Sequence, residues 1–193
     1  MKLKWTSSNT FLIKFIISLL IVGIIFGMYF YYQESSLIKT DIISELESIE
    51  EHLLLKQNNF LYHISLLSIL SILSLIVFGI PLILFYFFYE GVSFGFLLAA
   101  LFHINGLEGL LFGIIFGLVN KLFIYLALLY LIITSFNYSK KVIIKLKNKD
   151  YRMSEYISNQ LFKIVFIFLF VLIIDIFIYF FGNKILSLFL FML

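Results

Sequence analysis

Long apolar runs carrying almost no charge constrain this chain more than any motif does. Residues 11–32 form one such run, about 65–89 a second, 91–136 a third and 161–181 a fourth. Crossing about 30 Å of hydrocarbon takes about 20 helical residues. The chain has 193 residues, is 63% hydrophobic and 13% charged, and has a mean hydropathy of +1.10. No soluble core of that size hides so much apolar surface. The reading is therefore a polytopic membrane protein. The absence of cysteine excludes disulfides and thiolate metal sites.

The third run is too long for one helix and divides most simply at Asn105-Gly106. That gives a short span, 91–104, and a long one from 107 to about 137. The expectation is an all-α membrane bundle of about five transmembrane helices, with a short third helix and a bent or broken fourth. No Ser/Gly/Pro-rich linker or long repeat interrupts it, so residues 1–193 read as one domain. The single proline, Pro81, falls within the second span, and the last span is expected to stop at Gly182-Asn183. The apolar tail 185–193 is too short to cross; it is expected in the interface or folded back on the bundle.

Charge sets the orientation. Lys2 and Lys4 precede the first span without a small-residue cleavage site after it, as in an uncleaved signal anchor. The loop 33–60 carries Glu34, Asp41, Glu45, Glu47, Glu50 and Glu51 against Lys39 and Lys56. The loop 138–160 and its flank carry Lys140, Lys141, Lys145, Lys147, Lys149, Arg152 and Lys163 against Asp150 and Glu155. Because positive loops stay inside, the expected topology is N-terminus cytoplasmic, acidic loop outside, basic loop cytoplasmic and C-terminus extracytoplasmic. Within the outer loop, Ile38, Ile42, Leu46, Ile49 and Leu53 recur as one apolar stripe of a helix. It is expected to lie on the bundle or the membrane surface rather than to dock a partner. The basic loop belongs beside anionic lipid headgroups, and nothing in it indicates nucleic acid.

Glycine is concentrated where it is least expected. Gly91, Gly95, Gly106, Gly109, Gly113 and Gly117 all fall in the third run, although glycine costs about 1 kcal/mol relative to alanine inside a helix. Small residues four apart let helix backbones approach closely in a bilayer, so these six are candidate packing positions. Gly23 and Gly27 make another such pair in the first span, and the serines at 65, 68, 71 and 74 suit packing with hydroxyls bonded to the preceding turn. The commoner meaning of these motifs is packing within one chain; self-association stays open.

Intramembrane charge is the other candidate site. Lys121 lies near the middle of the fourth span and Asp175 past the middle of the fifth, so the two are expected to form a buried pair. An unpaired charge there would cost at least about 2.5 kcal/mol. The plain reading is a lock between two helices; the functional one is a proton or ion path. Asn120 adjoins Lys121 and marks a candidate helix break. His103 and Glu108 flank Asn105-Gly106 at the outer rim.

Catalysis finds little support. Gly91-Val-Ser93-Phe-Gly95 matches the G-x-S-x-G pattern, but that motif works on a strand-to-helix turn. His103 lies ten residues beyond Ser93, roughly 15 Å away on a straight helix. His52, His63 and His103 have no metal-ligand spacing and no acidic cluster beside them. No catalytic residue, metal or cofactor is expected.

The segments Gly79-Ile-Pro-Leu-Ile-Leu, Tyr89-Glu-Gly91-Val-Ser-Phe-Gly95-Phe and His103-Ile-Asn-Gly106-Leu-Glu-Gly109-Leu-Leu-Phe, in that order, resemble the stage II sporulation protein M family. That family has a Gly-Phe-x-x-Gly-Phe-like helix start and a Gly-x-x-Gly outer turn. Leu118-Val-Asn120 falls where the family places a proline-containing segment but lacks the proline, and Asp175 followed by Gly182 is similar to the family's acidic residue before its exit. The resemblance covers about residues 79–185. It implies a non-enzymatic membrane scaffold of the bacterial cell envelope. Family members in endospore formers work during engulfment with two membrane-anchored cell-wall hydrolases, a lytic transglycosylase and an amidase-endopeptidase. A small permease or channel subunit with a polar site near Lys121 and Asp175 is the alternative. The Ile, Phe, Lys and Asn content suits an AT-rich bacterial genome.

Overall fold

The computed structural model describes residues 7–36, 39–41, 44, 60–147 and 154–189. The apolar stripe of the acidic loop, its glutamates from 45 onward, and Lys149, Asp150 and Arg152 lie outside the described residues. Those residues form an all-α bundle: α1 (Ser7–Gln33), α2 (Phe60–Leu75), a 3-10 turn (Val77–Gly79), α3 (Ile80–Asn120), α4 (Leu122–Lys147) and α5 (Ser154–Ser187). Among the described residues four stretches are long and apolar enough to cross a membrane: Thr10–Gln33, Ile80–Asn120, Leu122–Lys147 and Tyr156–Gly182. The shorter apolar helix Tyr62–Leu75 accompanies them.

The breaks differ from the expected ones. The second span is not continuous, because α2 ends at Leu75 and Ile76 turns extended before the 3-10 turn. Residues 91–104 are then not a separate short span. They are the second half of a helical arm that begins at Ile80 with Pro81 in its first turn, where a missing N–H breaks no helical bond. The break at Asn105-Gly106 does occur: Gly106 adopts φ 57 and ψ −131, and Asn105 also leaves helical geometry. At Lys121 the helix bends without opening, since Lys121 N–H still bonds Gly117 O and Tyr125 N–H still bonds Lys121 O, at 2.8 and 2.9 Å. Backbone hydrogen bonding thus continues from the second arm of α3 into α4. Of the expected basic loop, the residues up to Lys147 and from Ser154 are helical and 148–153 lie outside the described residues, and α5 runs through Gly182 to Ser187 instead of stopping there.

Gly106 is a position where backbone shape alone demands glycine. A Cβ added there would meet nothing within 4 Å, yet side chains avoid that combination of φ and ψ. Gly106→Ala is therefore expected to destabilise the protein by about 1–3 kcal/mol, measured by thermal or denaturant unfolding in detergent. An unchanged midpoint would show that the turn relaxes freely.

Past this turn the chain folds back on itself. The arm after Gly106 lays Gly109 against Leu101, Gly113 against Leu98 and Leu101, and Gly117 against the Phe94 ring. Each turn up the first arm of α3 is matched by a turn down the second, an antiparallel helical hairpin. The first arm also runs parallel to α1: Gly23 stands against Gly91, with their Cβ-facing backbones in contact, and Gly27 against Val92. α5 runs antiparallel to α4 and the end of α3, with Tyr156 beside Lys141 and Lys145 of α4 at one end and Gly182 beside Val119 of α3 at the other. The start of α1 and the lysine-rich end of α4 consequently lie toward one end of the bundle, while Asn105-Gly106 lies at the opposite end.

The larger core, with Leu12, Ile16, Leu67, Leu70, Ile83, Phe87, Leu128, Leu131, Ile164 and Val171, draws on all five helices, and Tyr31, Ala99 and Ala100 form a smaller second cluster. Outward, α1 and α5 stay largely uncovered and apolar, with Phe162 74% and Ile173 65% exposed. Water would not tolerate such faces; lipid does. Ser68 and Ser74 bond carbonyls of the preceding turn at 2.7 Å, so α2 satisfies its own hydroxyls there.

Candidate functional site

The ionisable side chains within the bundle find partners that linear spacing did not indicate. Lys121 does not pair with Asp175. Its Nζ donates to Glu90 Oε2 at 3.0 Å, and Asp175 Oδ1 accepts from His63 Nδ1 at 2.8 Å. The reason is the α3 hairpin. Once Phe94 faces Gly117, the next turn on each arm brings Glu90 to Lys121. The short helix α2 likewise sets His63 beside α5.

Glu90 is the hub. Its other oxygen, Oε1, accepts from the Tyr86 hydroxyl at 2.5 Å. The Tyr86 proton is committed there, so the 3.2 Å contact between the Tyr62 and Tyr86 hydroxyls has Tyr62 as donor. The Tyr125 hydroxyl stands 3.5 Å from the Glu90 carbonyl oxygen, at the limit of a hydrogen bond. Glu90, His63 and Asp175 are about nine-tenths buried at the side chain, and Lys121 is 27% exposed. Asp175 Oδ2 is buried without a hydrogen-bond partner among the described residues.

These contacts join α2 to α3, α3 to α4 and α2 to α5, because Tyr62 and His63 are neighbours in sequence. Only the step from Tyr86 to Glu90 runs along a helix, one turn or about 6 Å. The arrangement is a layer across the bundle. Such a layer ties helices together, since each partner left alone would be a charge or polar group stranded in a low-dielectric interior.

The remaining candidates lie apart from it. Asn120 Nδ2 donates to Phe116 O at 3.1 Å within its own helix. His103 and Glu108 are exposed beside the outer turn, the His103 ring edge-on to Tyr31 at 5.9 Å. Ser93 sits inside a continuous helical arm on an exposed face, not on a turn. Among the described residues no group of three or more His, Cys, Asp or Glu side chains converges for a metal.

The glycines define a second built feature. A Cβ on Gly95 would overlap the Ile24 carbonyl, and one on Gly27 the Val92 carbonyl. At Gly23 it would come within 2.6 Å of Phe88 O, and at Gly91 within 2.7 Å of Leu20 O. The four therefore form one reciprocal crossing of α1 and α3, made within a single chain.

A family model described as stage II sporulation protein M matches residues 16–181. The chain belongs to the stage II sporulation protein M family. That match reaches from α1 to α5 and so takes in the glycine crossing, the hairpin turn and the whole polar layer. It extends the sequence resemblance toward the N-terminus over most of α1 and all of α2. No match was found among curated proteins or among solved structures. Membership makes this a membrane protein of a sporulation-related family.

Glu90 and His63 are the site residues that sequence reading missed. Ending the second span at 89 and starting the third at 91 left Glu90 between spans, where a carboxylate needs no partner. Beginning the second span at 65 left His63 outside it. The signal that finds Glu90 is its position ten residues after Ile80, near the middle of an arm that the Gly79-Ile-Pro sequence opens.

Proposed function

We propose that this member of the stage II sporulation protein M family is a non-catalytic scaffold of the bacterial cell membrane. It anchors extracytoplasmic cell-wall hydrolases during engulfment or a related envelope process. The N-terminus and the lysine-rich end of α4 are cytoplasmic; the Asn105-Gly106 turn and the C-terminus lie outside. The match to the family model over residues 16–181 carries this reading. Its support in the geometry is a polar layer that runs across four helices and a glycine crossing that serves the bundle's own assembly. The shared end of α1 and α4 gathers lysines on one side, as the positive-inside rule requires.

Crosslinking in the native cell followed by identification of the captured proteins tests the proposal. Recovery of membrane-anchored cell-wall hydrolases is expected. Capture of an ATPase, without hydrolases, would count for the second reading, a small permease or channel subunit. The ionisable layer around Glu90, Lys121, His63 and Asp175 is the observation that favours this alternative. It predicts solute or ion flux in liposomes holding the purified protein, and a flux no greater than that of protein-free vesicles would remove it.

A further inference from the structure

The charges along the helices locate the middle of the membrane on this bundle. On α5, Asp175 is the one charged residue between Lys163 and Lys184, about 18 Å beyond the first and about 14 Å short of the second at helical rise. On α1, Gly23 stands against Gly91, the neighbour of Glu90. It lies about 14 Å from Lys14 and about 16 Å from Glu34. Hydrocarbon extends roughly 15 Å on each side of its midplane. Two helices thus independently put Asp175 and Glu90, and with them the polar layer, near the middle of the bilayer.

Helix α2 starts at that depth. Its first turn holds Tyr62, whose hydroxyl meets that of Tyr86 at 3.2 Å, and His63, bonded to Asp175. From there α2 runs toward the inner face, since Leu75 leads through the 3-10 turn to Ile80, ten residues before Glu90. Tyr62, Ser65, Ile69 and Ile72 follow spacings of three, four and three and are all exposed, so they form one outward stripe. The stripe is polar at the midplane and apolar toward the inner face. A helix side bathed in lipid has the opposite order, with its polar residues at the interface. Tyr62 is 56% exposed. Hydroxyls open to hydrocarbon forfeit their hydrogen bonds, whereas water keeps them satisfied. Because the inner part of the stripe is apolar, that water arrives from the outer side.

We propose that an aqueous crevice descends from the outer face to the polar layer and ends on α2 at Tyr62 and Ser65. Its ligand is water. That water gives the hydrogen-bond chain from Tyr62 through Tyr86 to buried Glu90 an open end on the outer side. The crevice belongs to the bundle whether the layer only ties helices together or also passes solute.

The chain has no cysteine, so single cysteines can be placed in the full-length protein without background. Ser65→Cys, Tyr62→Cys and Ile173→Cys are labelled with a charged, membrane-impermeant methanethiosulfonate in right-side-out and in inside-out membrane vesicles. Ile173 is the matched control: two residues from Asp175, it shares the depth of the layer and is 65% exposed, more than Tyr62. The reagent attacks thiolate, which forms in water and not in apolar surroundings. Ser65→Cys and Tyr62→Cys are expected to react at least about tenfold faster than Ile173→Cys, and faster in right-side-out vesicles. Ser65→Cys exchanges a single atom, so it decides the matter even if losing the Tyr62 hydroxyl disturbs the fold. An unreactive Ser65→Cys would overturn the proposal. So would labelling of Ile173→Cys at the same rate, or faster labelling of Ser65→Cys in inside-out vesicles.

Discussion

Glu90→Leu is expected to destabilise the protein by about 3–5 kcal/mol, the range for breaking a buried ion pair from one side. The substitution strands the Lys121 ammonium, which is 27% exposed, and removes the acceptor of the Tyr86 hydroxyl. Glu90→Leu/Lys121→Leu should recover most of the loss, because two apolar side chains of similar size replace a paired charge with little penalty. Unfolding in detergent of both variants and of Lys121→Leu beside the unaltered protein measures this, and the completed cycle isolates the coupling. A double variant that folds as well as the starting protein and still captures the same partners supports a structural layer. If it folds but captures none, the layer takes part in function directly and the scaffold reading loses its simplest form.

Gly95→Leu should lower stability by about 3 kcal/mol or more, at the top of the overpacking range. Its Cβ would fall on the Ile24 carbonyl, so the obstacle is backbone and α1 must move away from α3. Gly113→Ala provides the contrast. There the nearest atoms are Leu98 Cδ2 at 2.8 Å and Leu101 Cδ1 at 2.9 Å, the far ends of flexible side chains. The expected order is a severe loss for Gly95→Leu and a mild one for Gly113→Ala, read from unfolding midpoints. Equal losses would mean that the α1–α3 crossing is looser than its contacts indicate.

Much of the architecture could be read from the chain alone, for a physical reason. Lipid leaves backbone groups no partner outside the segment, so an apolar run of 20 residues is already a helix. The turn at Asn105-Gly106 was legible because it interrupts apolar sequence with an amide and a glycine. The turn at Ile76–Gly79 was not, since no charge interrupts the run there and Gly79 and Pro81 read as lying within one span. That one missed turn displaced the helix boundaries on either side of Tyr89. It also placed Glu90 at a surface it does not occupy.

Lys121 and Asp175 were recognisable as costly intramembrane charges by themselves. Their partners were not, because partner choice depends on which turn of one helix faces which turn of another. The glycine pairs at 23 and 27, and at 91 and 95, were legible as close-packing surfaces in the same limited sense. That they pack against each other required the parallel placement of α1 and α3. The sequence by itself determined the membrane class, the helices and the need to pair each buried charge, because transfer from water to lipid acts on each residue separately. Only the tertiary structure decided the pairs Glu90–Lys121 and His63–Asp175, because they arise from the fold-back at Gly106 and the register of α2 against α5.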